Sequence, residues 1–259
     1  MRGGRTFVGD LRALGGVRAP ATLAAAVLER LGLVEAYAPV DTAIGRVWVV
    51  FRGETVTAVR RAASGPAFEV AFRREFGRVP RAVAEVPPRL APAVRAALAG
   101  GGTKALRFEL GGLSEFERAV LRKALEVPAG QIRTYAWVAR EIGRPAAVRA
   151  VGSALGRNPI PLLIPCHRII RSDGAISDYI FGAGAKRTLL RAEGVDPEAL
   201  ARQAREGVRF VGSDTTRIFC FPTCRAARRI TGRHRVPFRS EQQAASAGYR
   251  PCRLCRPAA

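Results

Sequence analysis

The sequence predicts an α+β protein: a mixed α/β unit, then a mainly helical unit, then a small cysteine-rich unit. Three observations predict it. Residues 46–51 and 55–59 are short apolar runs rich in β-branched side chains, joined by a turn around Gly53, which is a hairpin pattern. Between residues 114 and 156, helix-start and helix-stop signals mark three short helices. Beyond residue 208 four cysteines fall into two close pairs. The 259 residues suffice for roughly two to three domains, and a hydrophobic content of 48% excludes a wholly disordered chain.

Taken in order, residues 1–35 read as a helical extension, with ATLAAAVLERLGLVEAY its most periodic piece. Residues 36–105 hold the hairpin, a possible helix in FEVAFRREFG, and Pro- and Gly-rich breaks. They end in Ala99-Gly100-Gly101-Gly102, a connection to the next unit. Residues 106–195 open with Ser114-Glu115-Phe116-Glu117, a capping box in which Glu117 reaches back to Ser114. The helix it starts carries Phe116, Val120, Leu121, Ala124 and Leu125 on one stripe and stops at Pro128-Ala129-Gly130. Thr134 caps a short helix, YAWVAREIG. Pro145 is suited to the first turn of a second, PAAVRAVGSALG, and the two make a helix-turn-helix pattern. IPLLIP reads as a buried strand running into Cys166. Ser172-Asp173-Gly174 is a turn, and Lys186–Ala192 ends a helix closed by Glu193-Gly194. Residues 196–208 read as a linker, and 209–259 as the cysteine-rich unit.

Lys and Arg total 43 against 21 Asp and Glu, a formal net charge of +22. Such a surplus favours a polyanionic partner, and nucleic acid above others, through phosphate contacts and counterion release. Lys104, Lys123 and Lys186 are the three lysines. A G+C-rich genome accounts for arginine over lysine better than for the excess of base over acid. No stretch approaches the ~18–20 unbroken apolar residues of a membrane span, so no membrane partner is expected. The first residues lack the apolar core of a secretory signal, and a cytoplasmic location is expected.

Five cysteines without a signal argue for reduced thiols rather than a disulfide frame. Cys166 stands alone beside His167. A neighbouring base turns a thiol of pKa ~8.5 into a nucleophile. A buried structural cysteine is the commoner fate of a lone thiol, and the pair alone does not exclude it. Cys220-x3-Cys224 and Cys252-x2-Cys255 are spaced for one structural zinc, with paired thiolates approaching from two turns. A unit of this size with little core needs such a staple. His234, amid arginines, reads as a surface residue.

Asn158-Pro159-Ile160, Ile164-Pro165-Cys166-His167-Arg168-Ile169-Ile170, Ser172-Asp173-Gly174, Tyr179, Lys186, Leu189-Leu190 and Glu193-Gly194 resemble the O6-alkylguanine-DNA alkyltransferases, the methylated-DNA–protein-cysteine methyltransferases. Upstream, Pro128-Ala129-Gly130, Tyr135, Ala139, Ile142-Gly143 and Arg149-Ala150-Val151-Gly152 extend the resemblance. It is close over 106–195 and looser over 36–105. It implies an alkyltransferase fold and a single-use reaction on double-stranded DNA. The alkyl group of a flipped O6-alkylguanine passes to Cys166, His167 takes the thiol proton through a water, and Glu193 holds His167. Tyr135 serves the leaving purine and the target phosphate, Arg149 fills the space of the flipped base, and Asn158 braces the turn before Cys166. Tyr179 and Ile180 line the base pocket, and Arg168 is counted with Tyr135 and Arg149 among the DNA-binding residues. Asp178 departs from the family, which commonly has Gly before that Tyr, and inactive alkyltransferase-like relatives lack the Cys. A monomer associated with the nucleoid is expected. The alternative class is a non-catalytic lesion sensor that grips DNA and recruits other repair factors.

Ile218-Phe219-Cys220-x-Pro222-x-Cys224 and Ala247-Gly248-Tyr249-Arg250-Pro251-Cys252-x-x-Cys255 resemble the zinc domain found at the N-terminus of the bacterial adaptive-response protein Ada. That resemblance implies one Zn2+ held by Cys220, Cys224, Cys252 and Cys255, with Cys220 as a possible second methyl acceptor, from DNA phosphotriesters. Here the unit lies C-terminal, with no second helix-turn-helix regulator domain beside it, so transcriptional activation is not expected.

Overall fold

A computed structural model describes Val27 and residues 34–257, apart from 79 and 177. The helical extension expected over 1–35 therefore lies outside the described residues, save Val27, Val34 and Glu35. Its periodic piece was expected to run on through Tyr37, but Ala36 and Tyr37 begin a strand, β1 (Ala36–Thr42). β1 pairs antiparallel with β2 (Gly45–Arg52), and β2 with β3 (Thr55–Arg60) across the expected turn at Gly53. The β2 run Val47-Trp48-Val49-Val50-Phe51 is apolar throughout because both its faces are covered. Val47, Val49 and Phe51 join the main core, while Trp48 and Val50 pack with Tyr37, Phe68 and Phe72 under α1 (Gly65–Phe76). Ser64 caps α1, its side chain accepting from the Ala67 amide.

Two short edge strands complete this sheet in the order β4-β1-β2-β3-β5: β4 (Arg81–Ala82) beside β1 and β5 (Arg107–Phe108) beside β3. Between them lies α2 (Ala91–Leu98), a helix in the stretch expected to hold only breaks. Its Pro92, in the first turn, marks a helix start as readily as a break.

The expected capping box is formed. Ser114 and Glu117 bond reciprocally at the start of α3 (Glu115–Leu125). β6 (Arg133–Thr134) leads directly into α4 (Tyr135–Glu141), capped by the Thr134 side chain. Then comes α5 (Val148–Gly156), which begins three residues later than expected, so Pro145 sits in the turn rather than in the helix. α3, α4 and α5 pack together, with Val120, Leu121, Trp137, Val138, Val151 and Leu155 in one core.

IPLLIP is not a strand. Pro159, Pro161 and Pro165 have no amide to give a ladder, and Asn158 replaces one. Its Nδ2 donates to the Ile164 carbonyl and its Oδ1 accepts from the Ile160 amide. Leu162 stands at φ 73°, in the left-handed region, inside this tight buried loop. The Val59 amide and the Arg60 guanidinium both donate to the Pro159 carbonyl, tying β3 to the loop. A single 3-10 turn, Cys166–Arg168, follows, and then β7 (Ile169–Ile170), which pairs parallel with β6. α6 (Ala183–Ala192) closes at Glu193.

The expected linker holds a helix, α7 (Pro197–Arg205). Asp196 caps it by accepting from the Glu198 and Ala199 amides, and Pro197 fills its first position. The C-terminal unit is a sheet in the order β10-β8-β9-β11, built from β8 (Phe210–Ser213), β9 (Ile218–Cys220), β10 (Arg235–Phe238) and β11 (Arg250–Pro251), with α8 (Glu241–Ser246) before β11. Its buried residues belong to the same continuous core as the helices of the middle unit.

α7 backs the loop after β7. Gly174, at φ 79°, touches α7 so closely that an added Cβ would lie 2.5 Å from the Ala204 Cβ. Gly174→Ala is expected to lower unfolding free energy by about 1–3 kcal/mol through this overlap and the left-handed backbone, measured by urea unfolding against the unaltered chain.

Candidate active site and metal centre

The 3-10 turn puts three consecutive residues to different use. Cys166 is 6% exposed and reaches the floor of a cavity of about 860 Å³. Tyr135 from the start of α4, Arg149 from α5, and Asp178, Tyr179 and Ile180 from the loop before α6 line the same cavity. The Asn158 Nδ2 that braces the preceding loop also lies 3.2 Å from the Cys166 Sγ. Burial pushes the Cys166 thiol pKa up, while the Asn158 hydrogen bond and the Lys186 charge pull it back.

His167 and Arg168 turn away from the cavity onto one carboxylate. His167 Nε2 lies 2.9 Å from Glu193 Oε1. Arg168 binds both Glu193 oxygens through Nε at 3.1 and 3.0 Å and adds an Nη2 contact at 2.8 Å. The Gly130 amide also donates to Glu193 Oε2. Burial raises the Glu193 pKa, but the bonds from His167 and Arg168 outweigh it and bring it down to about 2. Burial lowers the His167 pKa against the opposing pull of Glu193, which leaves the ring neutral at neutral pH. An ionised carboxylate at Nε2 selects the tautomer that carries its proton there, so Nδ1 offers the lone pair. Nδ1 is buried and has no hydrogen-bond partner.

Arg168 is thus misplaced among the DNA-binding expectations. It is buried, and its Nη1 donates to the Val127 carbonyl, so its guanidinium is spent inside the protein. The other expected residues of this group, Cys166, His167, Glu193, Asn158, Tyr135, Arg149, Tyr179 and Ile180, are brought together around the cavity or the turn behind it. The Tyr179 hydroxyl is buried, and burial raises its pKa well above 10 against the opposing pull of the Leu162 backbone, so it remains a phenol. Its ring meets His167 edge-on at 6.2 Å. Arg149 is on the exposed face of α5 and Ile180 is 43% exposed.

One participant was not singled out as a site residue. Lys186 is buried and donates to the Ile169 carbonyl at 2.7 Å. Burial brings its pKa down to about 8, and Cys166 and Asp178 act against that. The sequence signal was there: Lys186 occupies the first place of an i, i+3, i+4 stripe with Leu189 and Leu190, where an apolar residue belongs.

In the C-terminal unit the sulfurs of Cys220, Cys224, Cys252 and Cys255 all lie within 4.8 Å of one another, and all four residues are buried. Tetrahedral zinc with Zn–S bonds of ~2.3 Å needs sulfurs ~3.8 Å apart, so the donor set fits one structural zinc. Among the described residues no other group of His, Cys, Asp and Glu qualifies. His234 is half-buried and bonded to Asp214, and it is not part of the cluster. A cavity of about 560 Å³ beside Cys220 is lined by Arg225, Arg229, Arg250 and Arg253.

Polar contacts join the two units. The Ile132 amide donates to Thr223 Oγ1 at 2.9 Å, and Arg228 donates to the Gly130 carbonyl. Arg140 bonds Glu241 and the Pro257 carbonyl, and Arg256 pairs with Glu126 and Glu141.

Glu193 is more acidic in the folded chain than when unfolded. Its contribution is complete above about pH 4.5 and is lost as pH falls towards about 2. On the order of 2–3 kcal/mol should disappear across that window, seen as a slope in urea-unfolding free energy against pH that Glu193→Gln lacks.

Residues 115–195 match the family described as "6-O-methylguanine DNA methyltransferase, DNA binding domain", and residues 199–258 match "Metal binding domain of Ada". A methylated-DNA–protein-cysteine methyltransferase of Methanosarcina barkeri is 46% identical over 80 residues, covering 31% of this chain and 51% of that protein. One of Mycolicibacterium paratuberculosis is also 46% identical over 80 residues, covering 31% and 48%. The chain spans about half the length of the curated relatives it matches. Among solved structures, Mycobacterium tuberculosis OGT in complex with DNA is similar at 27% identity, with 64% of this chain and 99% of that one covered and a TM-score of 0.51. The O6-methylguanine methyltransferase of the same organism is similar at 29% identity, covering 62% and 93%, with a TM-score of 0.51. Residues 115–195 thus belong with the 6-O-methylguanine DNA methyltransferase DNA-binding domains, and residues 199–258 with the Ada metal-binding domains.

Proposed function

We propose that the chain repairs DNA by moving an alkyl group from O6 of guanine to Cys166, once per molecule. The observation that carries this reading is the shared cavity: Cys166 at its floor, Tyr135, Arg149 and Tyr179 on its walls, and the His167–Glu193 pair behind it. The +22 charge suits a phosphate backbone, and α4 and α5 supply the helix pair expected to meet it. A base stacked in duplex DNA cannot reach a buried thiol, so the lesion must be extruded. Arg149, exposed at the cavity rim, is placed to occupy the vacated stack.

The thiol proton passes to His167 Nδ1, through a water, and Glu193 stabilises the imidazolium that forms. The Cys166 sulfur attacks the alkyl carbon, a C–S bond forms and the C–O6 bond breaks. The electron pair of the broken bond stays with the purine, which takes up a proton from the Tyr135 side, restoring guanine. Tyr179, a buried phenol, keeps a hydroxyl proton to donate to the bound base. Among the described residues no group is placed to displace the thioether, so the reaction is read as stoichiometric. A sensor without chemistry is disfavoured, because it has no use for a thiol coupled to this turn. The chain is taken as a cytoplasmic, nucleoid-associated monomer. The units 36–105, 106–195 and 209–259 are taken as its working parts, with α7 bridging the last two.

A second activity is favoured by a separate observation, the arginine-lined cavity at Cys220. When zinc is bound, four thiolates leave the cluster net negative, and that charge keeps sulfur nucleophilic. Arg225, Arg229, Arg250 and Arg253 are placed to hold the phosphates that flank a phosphotriester.

Incubation with duplex oligonucleotide carrying O6-methylguanine should add one methyl group to the intact mass, mapping to Cys166 and absent in Cys166→Ala. Binding without a mass change would overturn the reading. His167→Ala should slow transfer by about 10²–10⁴-fold, the usual weight of a general base, in single-turnover quench measurements. With methyl phosphotriester duplex, a second methyl on Cys220 should appear in the unaltered chain and not in Cys220→Ser.

A further inference from the structure

Arg133 is 3% exposed, yet among the described residues no carboxylate pairs with it. The nearby acids Glu126 and Glu141 are engaged by Arg256 and Lys123. Arg133 donates to the Ile132 carbonyl and to Gln131 Oε1, while its Nε has no partner. A guanidinium so deeply placed without a counter-charge is costly. The amide of the preceding residue, Ile132, donates to Thr223 Oγ1 beside Cys224, which sets Arg133 against the cysteine cluster; the sulfurs of Cys255, Cys224 and Cys252 act against the cost of its burial, while Arg256 adds to it. The Arg133 plane lies over the Phe221 ring at 5.3 Å and over the Trp137 ring at 5.4 Å, so it spans the seam between the two units.

We propose that Arg133, donated by the alkyltransferase half, is a counter-charge of the zinc–tetrathiolate cluster. Arg133 opens β6, opposite Ile169 of β7, immediately after the Cys166–Arg168 turn. Its neighbour Thr134 caps α4, and the next residue, Tyr135, lines the cavity. The charge of the metal centre is therefore anchored one residue from the cap of the helix that faces the lesion. The inference rests on the zinc assignment and goes beyond it, because it gives the cluster a charged partner from the other unit.

The test uses the full chain with Arg133→Met, which keeps an unbranched stem and removes the charge, and Arg133→Lys, which keeps the charge. Zinc content and affinity are read by competition with a chromogenic chelator, and melting is followed by circular dichroism with the metal bound and stripped. The unaltered chain is expected to hold one zinc, R133M to bind it about 10–100-fold more weakly, the usual scale for a residue behind the ligands, and R133K to fall between. Stripped of metal, R133M should melt above the unaltered chain, because the uncompensated charge is gone. Equal affinity within twofold overturns the proposal, and so does an R133M that melts lower in both states, which would make Arg133 mere packing. An unaltered chain without zinc overturns the metal assignment itself, a result distinct from either.

Discussion

Glu193 ends α6 with its carboxylate between the His167 imidazole and the Arg168 guanidinium, and the position of the reacting groups follows from that arrangement. Burying a carboxylate, a guanidinium and a ring together is tolerable only because each is satisfied by the others. Arg168 also reaches the Val127 carbonyl beyond α3, and Glu193 also accepts from Gly130, so one ionic knot ties three chain segments. With Arg168 balancing Glu193, the neighbouring ring stays neutral and able to accept a proton. Cys166, on the same short turn, is left facing the opposite way.

The thiol itself sits in a mixed field. Burial disfavours its ionisation, whereas Asn158 and Lys186 favour it. Lys186 lies behind the turn, with its ammonium on the Ile169 carbonyl, and Asp178 at the cavity wall acts on it in turn. Asp178 therefore holds up the charge on the lysine that favours ionisation of the Cys166 thiol.

Much of this was legible in the sequence wherever a local rule decides the outcome. Ser114 and Glu117 find each other within one turn, Thr134 caps its own helix, and the paired cysteines bring their own geometry. What failed was decided by distant contacts. Ala36 and Tyr37 fit a helical stripe, but β2 claims them. IPLLIP has the composition of a strand, yet its prolines cannot join a ladder and Asn158 takes over the bonding. Arg168 looked like a hand for DNA because nothing in the chain announces that a carboxylate 25 residues later will capture it. α7 is decided locally as well, since Asp196-Pro197-Glu198 is itself a helix-start signal.

The helix that replaces the linker changes what the C-terminal unit is. Leu200 of α7 packs against Ile132, Ile170, Leu190 and Val195, and Ala204 seals the Gly174 bend. Severed at residue 195, the first half would keep its thiol and lose its back wall. An oily seam would open along Ile132 and Ile170, the Ile132 amide would lose its Thr223 acceptor, and the stump would tend to clump rather than work as a smaller tool.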